Sequence, residues 1–436
     1  MPFDPLFGIY ALPLLLLWGW WIYAGRQRSA RHRAIMEDNR EAGLNEPNSL
    51  HPVIDPAICL GCKSCVYACP EQEVLGVIDG KAMLIEPTKC VGHGACQAAC
   101  PTGAITLVFG TATRGVEIPR LTPEFETSVP DIFIAGELGG MGLIKNAVEQ
   151  GRQAMRPIVQ RAGKVPHRDG LLDVVIVGCG PAGISASLGA LEAGLAFRTV
   201  EQATLGGTVA HYPRGKVVMT APAKLPIVGE VRFGEVSKER LLAFWEDVLA
   251  KTGLKPQFEE QVIAVVPRGD HFEIRSDKGR YLAKSVLLAI GRRGTPRKLD
   301  VPGEELGKVV YRLIDPEQYA GRRIAVVGGG DSALEAACEL AEQPGTTVTL
   351  SYRGGAYSRA RSKNRERCAR LAAAGRIEAL LNSRVICINE DSVEVECNGQ
   401  LRTIPNDDVI VCAGGILPTG FLQEIGIGVE TKFGTV

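Results

Sequence analysis

A chain of 436 residues has room for about three domains. Its 45% hydrophobic and 22% charged residues describe packed globular structure, and 49 Lys plus Arg against 49 Asp plus Glu leave no basic excess of the kind nucleic-acid binding needs. Gly is abundant, 51 residues, or about 12% against a usual share of about 7%. With no low-complexity run to absorb them, these glycines point to phosphate-binding turns. Seven of the 13 cysteines fall between positions 59 and 100, a clustering that suggests metal ligation over disulfides.

The first element in chain order is apolar. Pro5 to Gly25 carries no charged side chain, and its middle reads Leu12-Pro13-Leu14-Leu15-Leu16-Leu17-Trp18. About 20 such residues cross a hydrocarbon core. Trp18, Trp20, Trp21 and Tyr23 gather at one end like an interfacial belt, and Arg26, Arg28, Arg31 and Arg33 follow directly. The expectation is one transmembrane helix over 5–25, kinked at Pro13, then a basic linker over 26–47. The positive-inside rule puts the N-terminus outside and the remainder on the cytoplasmic side of the inner membrane. A cleaved signal peptide would carry its basic run ahead of the apolar one, and here it comes after.

Residues 48–112 hold the strongest signal. Cys59-Leu60-Gly61-Cys62-Lys63-Ser64-Cys65-Val66-Tyr67-Ala68-Cys69-Pro70 is a C-x2-C-x2-C-x3-C-P run. Zinc ribbons share C-x2-C but not this triple spacing. A second copy, Cys90-Val91-Gly92-His93-Gly94-Ala95-Cys96-Gln97-Ala98-Ala99-Cys100-Pro101, places His93 where the second Cys belongs. The stretch resembles a bacterial two-cluster ferredoxin. By the crossed ligation of that family, Cys59, Cys62, Cys65 and Cys100 hold one [4Fe–4S] cluster, leaving Cys69, Cys90, Cys96 and His93 for a second site. Three readings stay open there: a His-ligated [4Fe–4S] cluster, a [3Fe–4S] cluster with His93 unbound, or no second cluster.

Two Gly-rich loops follow. The buried-strand run Leu172–Val177 ends in Gly178-Cys179-Gly180-Pro181-Ala182-Gly183, a helix-like stretch comes next, and the following strand ends at Glu201. Strand, G-x-G-x-x-G, helix and an acid about 20 residues on is a dinucleotide fingerprint, with Glu201 for the ribose hydroxyls. The second loop follows Arg323–Val327 and reads Gly328-Gly329-Gly330-Asp331-Ser332-Ala333. Its next strand ends without an acid and runs into Arg353, with Arg359 and Arg361 close behind, a pattern that favours the 2′-phosphate of NADPH over NADH.

The two loops in series, with Gly206-Gly207, Ala289-Ile290-Gly291 and Pro302-Gly303-Glu304, resemble the thioredoxin-reductase family over residues 171–436. That resemblance implies FAD on 171–303, NAD(P)H on 304–404, a return to the FAD domain over 405–436, and a homodimer. Gly206 and Gly207 would bring backbone against the flavin, with His211 and Tyr212 just after them. Two departures matter. The family's redox dithiol is absent, Val310–Asp315 standing in its place. The family's closing FAD motif is also missing after Pro418, yet a match appears upstream: Asp131-Ile132-Phe133-Ile134-Ala135-Gly136-Glu137, with Gly136 and Glu137 against the flavin side, then a helix-like stretch from Leu143 to Val159. Residues 113–165 thus read as a displaced C-terminal segment, a circular permutation, or as the completion of a neighbouring subunit. Val436 lying near Gly110–Gly115 of its own chain would favour permutation.

The expected fold is therefore α/β: two Rossmann-like dinucleotide-binding domains, an α+β ferredoxin-like domain and one N-terminal transmembrane helix. The expected function is a membrane-anchored NAD(P)H-dependent FAD and iron–sulfur oxidoreductase. It would exchange electrons with a ferredoxin, a cytochrome or a quinone, in either direction. The alternatives are an electron-transfer or redox-sensing subunit of a larger membrane complex, or a disulfide or persulfide reductase without the usual dithiol. Only Cys179 lies by a cofactor motif, and the other cysteines outside the ferredoxin run (Cys338, Cys368, Cys387, Cys397, Cys412) read as scattered single core residues.

Overall fold

The structure is a computed structural model describing residues 5–42, 44–47, 50–71, 73–113, 115–140, 142–162, 170–212, 214, 217–219, 222–232, 234–292 and 294–434, with side chains from Leu12 onward. The chain divides into two compact units: Met1–Gly115 with Ala356–Lys363 and Phe433–Val436, and Val116–Gly355 with Asn364–Lys432.

In the first unit, helix α1 (Pro5–Glu41) is continuous with Pro13 inside it, so residues 26–41, expected as a linker, are helical. Ala, Arg, Met and Glu carry the helix through this stretch. Among the described residues no helix is long and apolar enough to cross a membrane; the expected anchor falls partly on residues 1–11, whose side chains lie outside the described set. Strand β1 (His51–Ile54), helix α2 (Ser64–Ala68), strands β2 (Leu75–Ile78) and β3 (Lys81–Leu84), helix α3 (Ala95–Ala98) and strand β4 (Ile105–Val108) follow. β1 pairs antiparallel with β4, His51 opposite Val108. β2 and β3 form a hairpin closed by Asp79 and Gly80, both at positive φ as a two-residue primed turn requires. The later half of α1 packs on this hairpin. Val77 N–H donates to His32 Nδ1 at 3.0 Å, Asp79 N–H donates to Ser29 Oγ at 3.1 Å, and Asn39 Nδ2 donates to Ile85 O at 3.2 Å. Arg31 pairs with Glu73 and Arg33 with Asp79, each at 2.5 Å.

The second unit opens with β5 (Val116–Pro119), β6 (Ile132–Ile134) and helix α4 (Ile144–Ala162), then β7 (Leu171–Val177), α5 (Pro181–Glu192) and β8 (Phe197–Val200). Two small antiparallel pairs come next, β9 (Val217–Met219) with β12 (Glu235–Ser237) and β10 (Ala223–Leu225) with β11 (Gly229–Val231). Helix α6 (Lys238–Thr252) is capped by Ser237 Oγ, which accepts from Arg240 N–H, and ends at left-handed Gly253. β13 (Val262–Pro267), β14 (Phe272–Ser276) and β15 (Arg280–Leu288) complete a six-stranded sheet in the order β13-β14-β15-β7-β8. β6 joins it in parallel on β15, Ile132 opposite Val286 and Ile134 opposite Leu288. The stretches buried on both faces, Ile132–Ile134 of β6, Val174–Val177 of β7 and Val286–Leu288 of β15, are apolar runs, as parallel pairing inside a layered fold favours.

A second sheet, wholly parallel, has the order β17 (Val309–Val310), β24 (Asp408–Val411), β18 (Arg323–Val327), β19 (Thr347–Ser351), β20 (Ile377–Leu380). Helices α7 (Asp331–Ala341) and α8 (Ser362–Ala373) and the antiparallel trio β21 (Ser383–Ile388), β22 (Ser392–Cys397), β23 (Gln400–Pro405) accompany it. Because β24 lies between β17 and β18, Asp408–Val411 belongs to this second sheet, and Pro405 still closes β23 of the antiparallel trio. The expected return at 405 therefore begins later. There β25 (Gly415–Ile416) pairs with β16 (Thr295–Pro296), α9 (Thr419–Ile425) follows, and β26 (Val429–Lys432) pairs antiparallel with β5, Lys432 opposite Val116. Val436 lies outside the described residues; Gly434 N–H donates to Phe109 O at 2.9 Å.

Candidate functional site

The cysteine loops are built by paired left-handed turns. Gly61 and Lys63 flank Cys62 at φ +65° and +68°, and the short helix α2 starts directly after, with Cys65 on its first turn. Cys59 and Cys65 are buried while Cys62 is exposed. Gly61 N–H and Ala82 N–H both point at Cys59 Sγ, each at 3.4 Å. Cys65 lies within electrostatic range of Cys59 and Cys62, and Cys62 within range of Cys100. Cys90 sits in range of Cys96 and Cys69, and Cys96 in range of Cys69 and Cys100. Cys59, Cys62 and Cys65 thus neighbour one another with Cys100 beside Cys62, Cys69, Cys90 and Cys96 neighbour one another, and Cys96 and Cys100 adjoin.

Burial pushes the Cys90 thiol up to about 11 and raises those of Cys65, Cys69 and Cys96. A hydrogen bond with Ser64 lowers Cys62, and one with Thr102 lowers Cys100. Among the described residues no three donors converge on a single-ion point. Instead Cys69, Cys90, His93 and Cys96 ring a cavity with Gly92, Gly94 and Glu71. A cluster needs its donors spread in this way, since each iron takes its own ligand.

The first Gly-rich loop is a cradle that backbone alone can form. Gly178 has φ +104°, and a β-carbon on Gly183 would sit 1.9 Å from Gly178 O. Gly206 and Gly207 have φ +100° and +55° and bring main chain against Gly180, 3.1 Å from where a Gly207 β-carbon would stand. Glu201 is buried, its carboxylate accepting Cys179 N–H at 2.7 Å and Ala203 N–H at 2.9 Å. The upstream segment reaches the same place. Gly136 (φ +90°) donates its N–H to Gln150 Oε1 at 2.8 Å and stands 3.1 Å from Ala182 Cβ when given a β-carbon. Glu137 opens a tight turn over 137–139, and its charge reaches the half-buried Arg292, a residue the sequence did not single out. These features fit FAD: a loop free of side chains at a helix N-terminus, with an acid at the end of the second strand.

At the second loop, Gly328 (φ +145°) lies under Cys412 O, and Ala333 packs against it from the first turn of α7 beyond Gly330. The Tyr352 ring lies over Gly329. Arg353 is exposed just past β19, in the unit that carries this loop, whereas Arg359 belongs to the segment grouped with the first unit. The stretch at the family's dithiol position carries Arg312, whose Nη1 is 2.8 Å from Nδ1 of His211. His211 thus contacts the nicotinamide-side stretch.

Cys179 is fully buried, and burial followed by the Glu201 charge pushes its thiol up to about 12, which removes it as a nucleophile at neutral pH. Cys338 on α7 and Cys368 on α8, expected as isolated, are a buried hydrogen-bonded pair, and that bond followed by burial raises Cys338.

The chain belongs to the pyridine nucleotide-disulphide oxidoreductase family, whose profile matches residues 175–434, and a 4Fe-4S dicluster domain matches residues 51–101. It is an FAD-dependent NAD(P)H oxidoreductase that also carries an iron–sulfur domain. Over 268 residues it is 31% identical to a ferredoxin–NADP reductase of Ignicoccus hospitalis, covering 60% of this chain and 83% of that one. It is 27% identical over 267 residues to bacilliredoxin reductase Bdr of Bacillus subtilis, covering 60% and 82%. Among solved structures it is similar to the bacillithiol disulfide reductase Bdr of Staphylococcus aureus (TM-score 0.53, 28% identity, 58% of this chain and 80% of that one).

Proposed function

We propose that this protein is a membrane-anchored reductase that exchanges electrons between NADPH and a one-electron redox partner such as a ferredoxin, a cytochrome or a quinone. The carrying observation is the union, in one chain, of two dinucleotide cradles, no redox dithiol at 310–315, and a ferredoxin-like module. Bound FAD takes a hydride as two electrons and releases them singly, and iron–sulfur clusters accept one at a time.

The chain's own residues bind and position. Gly178, Gly180, Gly183 and Glu201 hold FAD, with Gly206, Gly207, Gly136 and Glu137 around it. Gly328, Gly330 and Ala333 hold the nicotinamide dinucleotide, with Arg353 for its 2′-phosphate. Cys59, Cys62, Cys65 and Cys100 hold one cluster, and Cys69, Cys90 and Cys96 take part in a second. Residues 113–165 complete the flavin domain of their own chain in permuted order, a reading supported by the pairing of β6 on β15 and of β5 with β26. The uncharged run to Gly25, its tryptophan belt and the arginines beyond it support insertion in the cytoplasmic membrane with the cofactors inside.

The test is anaerobic reduction of the detergent-solubilised full chain with NADPH and then NADH, followed by absorbance and EPR. Flavin bleaching and a reduced-cluster signal, faster with NADPH, are expected. Failure of both nucleotides to bleach bound flavin would overturn the proposal.

A further inference from the structure

We infer that His93 is the fourth protein ligand of the second cluster, making it a [4Fe–4S] centre held by three thiolates and one imidazole. The inference rests on the two-cluster reading above and deepens it.

The two cysteine runs fold as a structural repeat. Cys62 sits between Gly61 and Lys63 at φ +65° and +68°; His93 sits between Gly92 and Gly94, both at φ +77°. In each copy the residue after the ligand position, Lys63 or Gly94, caps a short helix, α2 or α3. Val66 and Tyr67 N–H donate to Lys63 O at 3.0 and 3.1 Å, and Gln97 and Ala98 N–H donate to Gly94 O at 3.1 and 3.2 Å. The cysteine at the next ligand position, Cys65 or Cys96, is buried in both. Cys62 and His93 are both exposed, in contrast to these buried cysteines. His93 thus stands on the backbone site that in the first copy presents a ligand thiol.

His93 also lines the cavity ringed by Cys69, Cys90 and Cys96. Gly92 permits this approach, because a β-carbon there would press against Leu50 O at 3.0 Å. Cys90 Sγ lies 3.7 Å from that same oxygen, so the loop is fixed from both sides. One competing donor lines the cavity, Glu71. It follows Cys69-Pro70 on the opposite run and stands outside the repeated ligand position, which favours the imidazole.

A neutral imidazole in place of a thiolate makes the centre one charge less negative, which raises its reduction potential, as His ligation does in Rieske centres. The second centre is then the easier of the two to reduce.

The test uses the full chain, reconstituted anaerobically with iron and sulfide after growth on isotopically labelled histidine. Pulsed EPR of the reduced protein reads nitrogen coupling, and iron is counted per chain. The expected result is about eight irons and a histidine-nitrogen coupling that follows the label. His93→Cys should keep about eight irons, abolish the coupling and lower one midpoint potential. About eight irons without nitrogen coupling would overturn the inference and point to Glu71 or solvent on the fourth iron. About seven irons with a three-iron signal would overturn it equally. About four irons would sink the two-cluster reading itself.

Discussion

Gly151→Ala tests whether α4, from the displaced segment, closes against the flavin loop of its own chain. Two effects oppose each other. Alanine is favoured over glycine in a helix interior by about 1 kcal/mol. A β-carbon at Gly151 would stand 2.2 Å from Ala182 O and 3.0 Å from its carbonyl carbon. Both belong to the backbone of the Gly-rich loop, so no flexible side chain can give way. Relief needs α4 to move by about 1 Å, and overpacking of this kind costs about 1–3 kcal/mol. The clash outweighs the propensity gain, with a net loss of up to about 2 kcal/mol. Gly189→Ala on α5 is the control, since its β-carbon meets side-chain atoms at ordinary contact distance, Met155 Cγ at 3.4 Å, Met155 Cβ at 3.5 Å and Pro226 Cγ at 3.8 Å. It should be neutral or stabilising by up to about 1 kcal/mol. The assay is thermal unfolding of the FAD-loaded full chain together with FAD titration of the stripped protein. Gly151→Ala should lower the midpoint and weaken FAD up to about tenfold, while Gly189→Ala should not. A Gly151→Ala protein as stable as wild type, with unchanged FAD affinity, would refute the close contact of α4 with this loop.

Glu201→Ala strands two buried N–H donors, those of Cys179 and Ala203, at about 1–3 kcal/mol each, so FAD content after gel filtration should fall sharply. Arg161 Nη1 bonds Glu126 at 2.5 Å and Asp131 at 2.7 Å, and its hydrogen bond holds the Glu126 carboxyl below its ordinary value. That stability is present above the unfolded carboxylate pKa and is lost as pH falls through the lower folded one. Arg161→Met should therefore cost about 1–2 kcal/mol at pH 7, between the exposed and buried cases, and the gap to wild type should narrow in acid unfolding below about pH 4. Removing residues 1–25 should leave cluster content and unfolding midpoint unchanged. Removing residues 1–39 takes away the His32, Arg31 and Arg33 contacts with the β2–β3 hairpin and should accelerate iron loss, followed by the decay of cluster absorbance.

What could be read from the sequence was local chemistry. Ligand spacing over Cys59–Cys69 and the glycines of 178–183 and 328–330 are short-range demands of a cluster loop and a phosphate turn, so the residue string carries them unaided. Contacts between distant elements left no such trace. Cys338 and Cys368 meet across two helices, 30 positions apart in the chain and with nothing in either neighbourhood to announce it. The arginines after Gly25 look like a membrane-flanking run, yet two of them answer Glu73 and Asp79 on a hairpin 40 to 50 residues away. The 405 boundary failed for a related reason. β24 is an apolar strand like any other, and only its place between β17 and β18 assigns it to the nicotinamide sheet.

The displaced segment lies between these cases, and its burial shows why the fold needs it. Ile132, Phe133 and Ile134 are fully buried against the edge of β15 at Val286–Leu288, and α4 covers the same sheet with Ala154, Met155 and Ile158. Without them that stretch of β15 would present unpaired main-chain donors and acceptors beside a bare apolar face, an arrangement prone to pairing with another chain. The sheet therefore requires a strand and helix of this character, and Ile132-Phe133-Ile134 supplies the strand by pairing in parallel with Val286–Leu288. The antiparallel pairing of β26 with β5 brings Lys432 opposite Val116, so the segment enters the domain directly beside the last strand, which is why a strand so far from β15 in sequence can reach its edge.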